Sequence, residues 1–308
     1  MNKSRRHHYV PQFMTKYFSD DKEQINVYDK INDRFYKNSA INLFVENDRN
    51  TFPNLEGIED DVIERVYSSL DTQFSNVLTE ITNSGKVSNE NFKQLLFLAY
   101  ISKWRVPRYD ESFEKAKEHY SVDDLGLGFK DSDNERIEIN LEDYFELDMQ
   151  QEMKRLLLAI QPFRFKMDFK QLIKSSFLIN TPIDSFISDC PFNEATIISD
   201  EIFEDFVFPI TRDLTLVYSK RINVTEIQDF ILNGEEKNVH RFLKEFSFAR
   251  DVSMLELAER NVACSDLDYL KHVVNTYKVF KAKGTDTAYN LTVFNVLYRF
   301  KEYADLQN

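Results

Sequence analysis

Six glycines and seven prolines in 308 residues leave this chain few places to turn sharply. A sandwich or barrel needs turn residues every 8–12 positions or so, and flexible linkers draw on the same residues. The chain is therefore predicted to be mainly helical, with short connections. Its filling is aromatic: 27 Phe and 15 Tyr stand against one Trp, and hydrophobic residues make up 42%. Rings of that size each bury a large area, so a substantial core is available. At this length one large domain or two closely packed ones both respect the limit on a single core. The reading adopted is one elaborated unit over 1–308.

Two periodicities divide it. Over 1–50, short runs such as Ile25 to Tyr28 and Arg34 to Tyr36, separated by the turn-like KIND, predict a small N-terminal hairpin or sheet. Over 57–175 helices are predicted. Ile58, Val62, Val66, Leu70, Phe74, Val77, Leu78 and Ile81 share one helical face, which ends at Asn83-Ser84-Gly85. A second helix follows Ser88 and carries Phe92, Leu95, Leu96, Ala99 and Tyr100, until Pro107 stops it near Arg105. The two should pack as an antiparallel pair. A third is predicted from Tyr144 to about Gln161. Between Asp110 and Asp148 periodicity fades, and 121–137 is expected to be the most mobile internal loop. Over 176–220 the runs Phe177-Leu178-Ile179, Phe186-Ile187-Ser188, Phe206-Val207-Phe208 and Leu214 to Tyr218 predict a small central sheet. From 224 to 308 the spacing is again helical. The fold class predicted is α+β, mainly helical, with two small sheets.

The formal charge of −13 sets the field around the chain. Acidic proteins repel polyanions, so nucleic acid is an expected partner only through a local basic patch, and a protein partner is the alternative. Cys190 and Cys264 show no metal or disulfide spacing. No run reaches the ~18 apolar residues of a membrane span, and the basic N-terminus has no apolar stretch behind it, so a cytoplasmic protein with no membrane partner is expected. Glycine loops for nucleotides and the GxSxG and HExxH signatures are absent.

The remaining chemistry gathers at a few positions. His7 and His8 are adjacent; in a strand they point to opposite faces, so at most one is central to a site. Each is either a base or ligand, or a structural hydrogen-bonding group. Asp189 follows Phe186-Ile187 and precedes Pro191, a strand end where it suits a base, a metal or a His partner, or else a backbone turn. Arg105 and Arg108 flank Pro107, either neutralising helix carbonyls or forming a fork for phosphate. Glu59 and Glu64 read as a solvated face, and Cys190 as a packed small residue.

His7-His8-Tyr9-Val10-Pro11-Gln12-Phe13 resembles the opening of an uncharacterised bacterial family called domain of unknown function 4238. Phe18 and Tyr28-Asp29 follow as in that family. Weaker echoes are Glu56, Glu59 and Glu64, then Arg105-Val106-Pro107-Arg108, Ser188-Asp189-Cys190-Pro191 and Phe208-Pro209-Ile210. The resemblance spans about 5–265 and departs at Cys190, where the family usually has Asn. It implies shared fold and site architecture, without an activity. The function expected is a hydrolase, a nuclease or phosphodiesterase in a bacterial conflict or defence setting. His7 or His8 would act with Asp189, and Tyr9, Gln12, Arg105 and Arg108 would bind substrate. A divalent metal is open as cofactor, its ligands unassigned. The alternative is a non-catalytic sensing or interaction protein in which HHYVPQF is a structural lock.

Overall fold

Apolar spacing and end signals place the elements of the computed structural model, which describes residues 5–53, 59–110, 129–130, 133–137, 169–195, 204–284 and 290–305. In chain order these are β1 (Arg6–His8), α1 (Gln12–Tyr17), β2 (Gln24–Asp29), β3 (Arg34–Ser39), β4 (Val45–Asn47), β5 (Phe52–Pro53) and β6 (Glu59–Asp60). Next come α2 (Val62–Ser84), α3 (Asn89–Arg105), β7 (Phe129–Lys130), β8 (Arg136–Ile137), α4 (Phe169–Lys174), β9 (Ser176–Asn180), β10 (Ile187–Ser188) and β11 (Asn193–Glu194). The chain closes with β12 (Phe206–Pro209), β13 (Leu214–Tyr218), α5 (Val224–Asn233), α6 (Glu236–Leu257), β14 (Asn261–Cys264), α7 (Leu267–Ala282), α8 (Asn290–Tyr298) and α9 (Phe300–Ala304). The class is α+β and mainly helical, with small antiparallel sheets.

The chain groups into two compact units, the first within 1–9, 45–170 and 198–202, the second within 10–44, 171–197 and 203–308. In the first, α2 ends at Gly85, whose φ of +63° is the left-handed conformation that glycine adopts freely. Ser88 then caps α3 by accepting the Asn91 N–H. The two helices contact one another, with Phe74 against Phe97 edge-on at 5.6 Å. The residues of α3 from Leu98 to Arg105 are buried. β1 pairs antiparallel with β4, with His7 opposite Glu46.

In the second unit α6 serves two cores. Phe242, Phe246 and Ala249 pack with Phe177, Val207 and Val217 of one sheet, whose order is β11-β12-β13-β9. Further along α6, Val252, Met254 and Leu255 pack with Tyr28, Phe186 and Val262 of the other sheet, whose order is β10-β14-β2-β3.

The predicted runs form strands, yet their partners differ from expectation. The N-terminal hairpin joins β14 and β10 instead of standing alone, so β10 leaves the central sheet. β14 itself falls inside the region read as helical, because four residues between two helices show too little alternation to register. Part of the expected 121–137 loop is a short hairpin, β7 with β8, near Asn134 at φ +65°. The rest of that loop is not among the described residues, nor is the helix expected from Tyr144 to Gln161. Among the described residues no helix is long and apolar enough to cross a membrane.

Candidate functional site

The described candidates fall in two places, one in each unit. In the first unit β1 turns His7 inward and leaves its neighbour His8 half-exposed, as strand alternation requires. His7 has no exposed surface, and its Nδ1 accepts the Asn50 N–H at 2.8 Å. The Asn50 amide in turn donates to Glu64 at 2.8 Å, so Glu64 is half-buried and bonded where a solvated side chain was expected. Replacing His7 with Ala leaves the buried Asn50 N–H unpaired, which costs about 1–3 kcal/mol. A urea melt of the variant checks this; an unchanged midpoint would show that the imidazole contributes nothing.

Beside this chain of bonds, Arg105 reaches from the end of α3. Its Nη1 donates to Asp71 on α2 at 2.7 Å, its Nη2 donates to the His8 carbonyl at 2.7 Å, and its plane lies 4.2 Å from the Tyr67 ring. Its side chain is 2% exposed. Arg105 thus fastens β1 to α2 rather than facing solvent as a phosphate fork. Burial pushes the Asp71 carboxyl above the usual carboxylate range, against the pull of Arg105, while the negative Glu64 raises it and His8 lowers it. Glu64, His8 and Arg105 therefore all act on Asp71 electrostatically. Arg108 sits in the single turn Pro107–Tyr109, half-exposed and without an ion pair among the described residues. Tyr9 is half-buried in the same unit, whereas Gln12 opens α1 in the second.

Asp189 also belongs to the second unit, where it holds the turn between α6 and β14. One carboxylate oxygen accepts the Glu259 N–H at 2.9 Å, and the other accepts Arg260 and Asn261 at 2.7 and 2.8 Å. Burial raises its carboxyl, and those three donors pull it down. Asp29 grips the same turn through the Arg260 guanidinium, and Lys30 donates to the Leu255 and Ala258 carbonyls at the end of α6. Two motif echoes, Tyr28-Asp29 and Ser188-Asp189-Cys190-Pro191, thus converge on one turn. The backbone reading of Asp189 describes these contacts, while a His7 or His8 partnership would join residues of different units. Asp189→Ala leaves three N–H groups for water and is expected to remove about 2–3 kcal/mol, measured as a denaturant midpoint. Asp189→Asn should recover part of it, since one oxygen remains.

Asp29 makes the turn sensitive to acid. It is buried, which raises its carboxyl, but the Asn32 amide and N–H and the Arg260 guanidinium outweigh burial and hold it at about 2. A depressed value stabilises the fold above the ordinary carboxylate range near ~4, and the gain is lost as pH falls from there to about 2. Asp20, held at about 2 chiefly by Lys37, titrates in the same window. Comparison of wild type with Asp29→Asn isolates the Asp29 share: the variant should lose less stability between pH 4 and 2, on the order of the window above. Parallel curves would contradict the assignment.

A buried network missed by the sequence reading lies on α6. Arg250 donates twice to its neighbour Asp251 and once each to Thr181 and Thr215. Asp251 also accepts the Phe186 N–H and the Tyr269 hydroxyl. Both residues are fully buried and bonded, which suits a specifier of packing rather than a reactive group. The Arg-Asp pair inside an otherwise apolar stretch was its signal. Cys190 is buried as a packed small residue, its thiol 3.8 Å from the Phe192 carbonyl. Among the described residues no three His, Cys, Asp or Glu side chains are placed to hold a metal ion.

Fold and site together define an α+β protein with a cluster of bonded polar and charged side chains in its first unit. Residues 6–242 match the family described as Protein of unknown function (DUF4238), and the chain belongs to that family. No curated protein and no solved structure matches it.

Proposed function

We propose that the first unit is a hydrolase site for phosphate esters, of nuclease or phosphodiesterase type, in which His8 is the proton-transfer group and Asp71 its acidic partner. The observation that supports this reading is the half-exposed His8, whose backbone carbonyl shares the Arg105 guanidinium with a carboxylate that burial has pushed upward. A partly accessible imidazole linked through one guanidinium to a half-buried carboxylate suits general acid–base work. Arg105 would be a positioning residue, since it fixes both Asp71 and the backbone of His8. Arg108, half-exposed, offers a guanidinium to the phosphate. The setting proposed for such an activity is a cytoplasmic role in bacterial conflict.

A second reading, the structural lock, is favoured by His7, which is wholly buried and spent on backbone. The two readings assign the adjacent histidines different jobs, so they separate by experiment. Turnover of an activated phosphodiester by wild type, His7→Ala and His8→Ala, each checked for folding, decides. Loss of turnover in folded His8→Ala supports the hydrolase, whereas absence of turnover in wild type across nucleic-acid and small diester substrates leaves the lock.

A further inference from the structure

Two buried polar atoms a helical turn apart on α3 have no partner. Asn91, Leu95, Leu98, Ser102 and Arg105 follow one another at three- and four-residue steps and so share a face. Near its C-terminal end Ser102 has no exposed surface and its Oγ bonds nothing; Arg105, 3% exposed, has an Nε–H that bonds nothing. A hydroxyl in a helix ordinarily donates to the carbonyl four residues back. Thr72, Thr79, Ser247 and Thr276 all do so in this chain. Ser102 does not. Buried polar groups are nearly always bonded, and exceptions call for an atom that belongs there.

We propose that Ser102 Oγ and Arg105 Nε form a subsite that receives one oxygen of the substrate's phosphate group. The proposal rests on the phosphate-ester reading above and deepens it. Arg105 is already fixed by Asp71, by the His8 carbonyl and by the Tyr67 ring, so the direction of its Nε–H is set before any ligand arrives. Both groups can donate, and an oxyanion accepts from both, with the guanidinium charge strengthening the bond. The neighbouring carboxylates oppose an anion, but both are already engaged: Glu64 accepts the Asn50 amide, and Asp71 accepts Nη1 of Arg105. Asn91, whose Nδ2 is also unpaired, lies at the far end of the same face, roughly 16 Å along the helix from Ser102, and takes no part.

Titration calorimetry of the intact chain with inorganic phosphate tests this. Wild type is expected to bind, and Ser102→Ala to bind about tenfold more weakly, the worth of one charge-assisted hydrogen bond. Its melting temperature should stay level or rise, because alanine removes an unpaired hydroxyl. No binding by wild type overturns the subsite. Equal affinity in folded Ser102→Ala overturns it too and makes any phosphate an adventitious ion only. His8→Ala is the control that separates the two claims. If phosphate binding depends on Ser102 while turnover survives without His8, the acid–base reading fails and the subsite stands.

Discussion

Arg105→Ala is expected to destabilise the first unit by about 3–5 kcal/mol, the usual cost of removing one member of a buried ion pair. The Arg105 side chain is 2% exposed and its partner Asp71 is 21% exposed, so water compensates little. Three losses coincide: Asp71 keeps a charge without its cation, the His8 carbonyl loses its donor, and Tyr67 loses the group stacked on it. Arg105→Lys should recover only part, since an ammonium cannot span both acceptors in the flat geometry of a guanidinium. The double variant Arg105→Met, Asp71→Leu should be less destabilised than Arg105→Ala, because no charge is then stranded. Chemical denaturation of the four proteins checks the order. If Arg105→Ala were within about 1 kcal/mol of wild type, Arg105 would behave as an exposed surface pair and the cluster would be misassigned.

His8→Ala is expected to lower turnover of a phosphodiester by about 100- to 10,000-fold with little change in stability, the range over which a general acid or base contributes. The half-exposed imidazole makes the stability cost small, in contrast to His7 one residue earlier. Asp71→Asn should also lower turnover, through its effect on His8, while retaining the shape of the pair with Arg105. A His8→Ala protein that is unstable yet catalytically competent per folded molecule would exchange the two histidines' roles.

Much of this was legible in local spacing. α2 and α3 fall where apolar residues recur every three or four positions, and Gly85, Ser88 and Pro107 mark their ends by the conformations and bonds they allow. The strands β2 and β3 were also visible, because their turn is local. Their further partner was not: Val27 pairs with Ala263 from the other end of the chain, and no local signal carries that register. The site divides in the same way. His7, His8 and Arg105 stood out as unusual residue types, whereas Asp71 looked like any polar residue on the outer face of an amphipathic helix. Its partner, Arg105, comes from α3, and the pairing gives no local signal. Asn50 gave no signal, since its role depends on a backbone N–H meeting His7. Asp189 was read correctly as a residue just past a strand, but its partners are the N–H groups of Glu259, Arg260 and Asn261, which sequence distance hides.

In the proposed mechanism His8 and Asp71 form one acid–base unit. NMR titration of the His8 ring in wild type and Asp71→Asn tests it without a substrate, because a charge that acts on Asp71 must be acted on in return. Removing the carboxylate should move the His8 titration midpoint to lower pH. A His8 midpoint that is the same in both proteins would contradict the pairing and, with it, the hydrolase built on it.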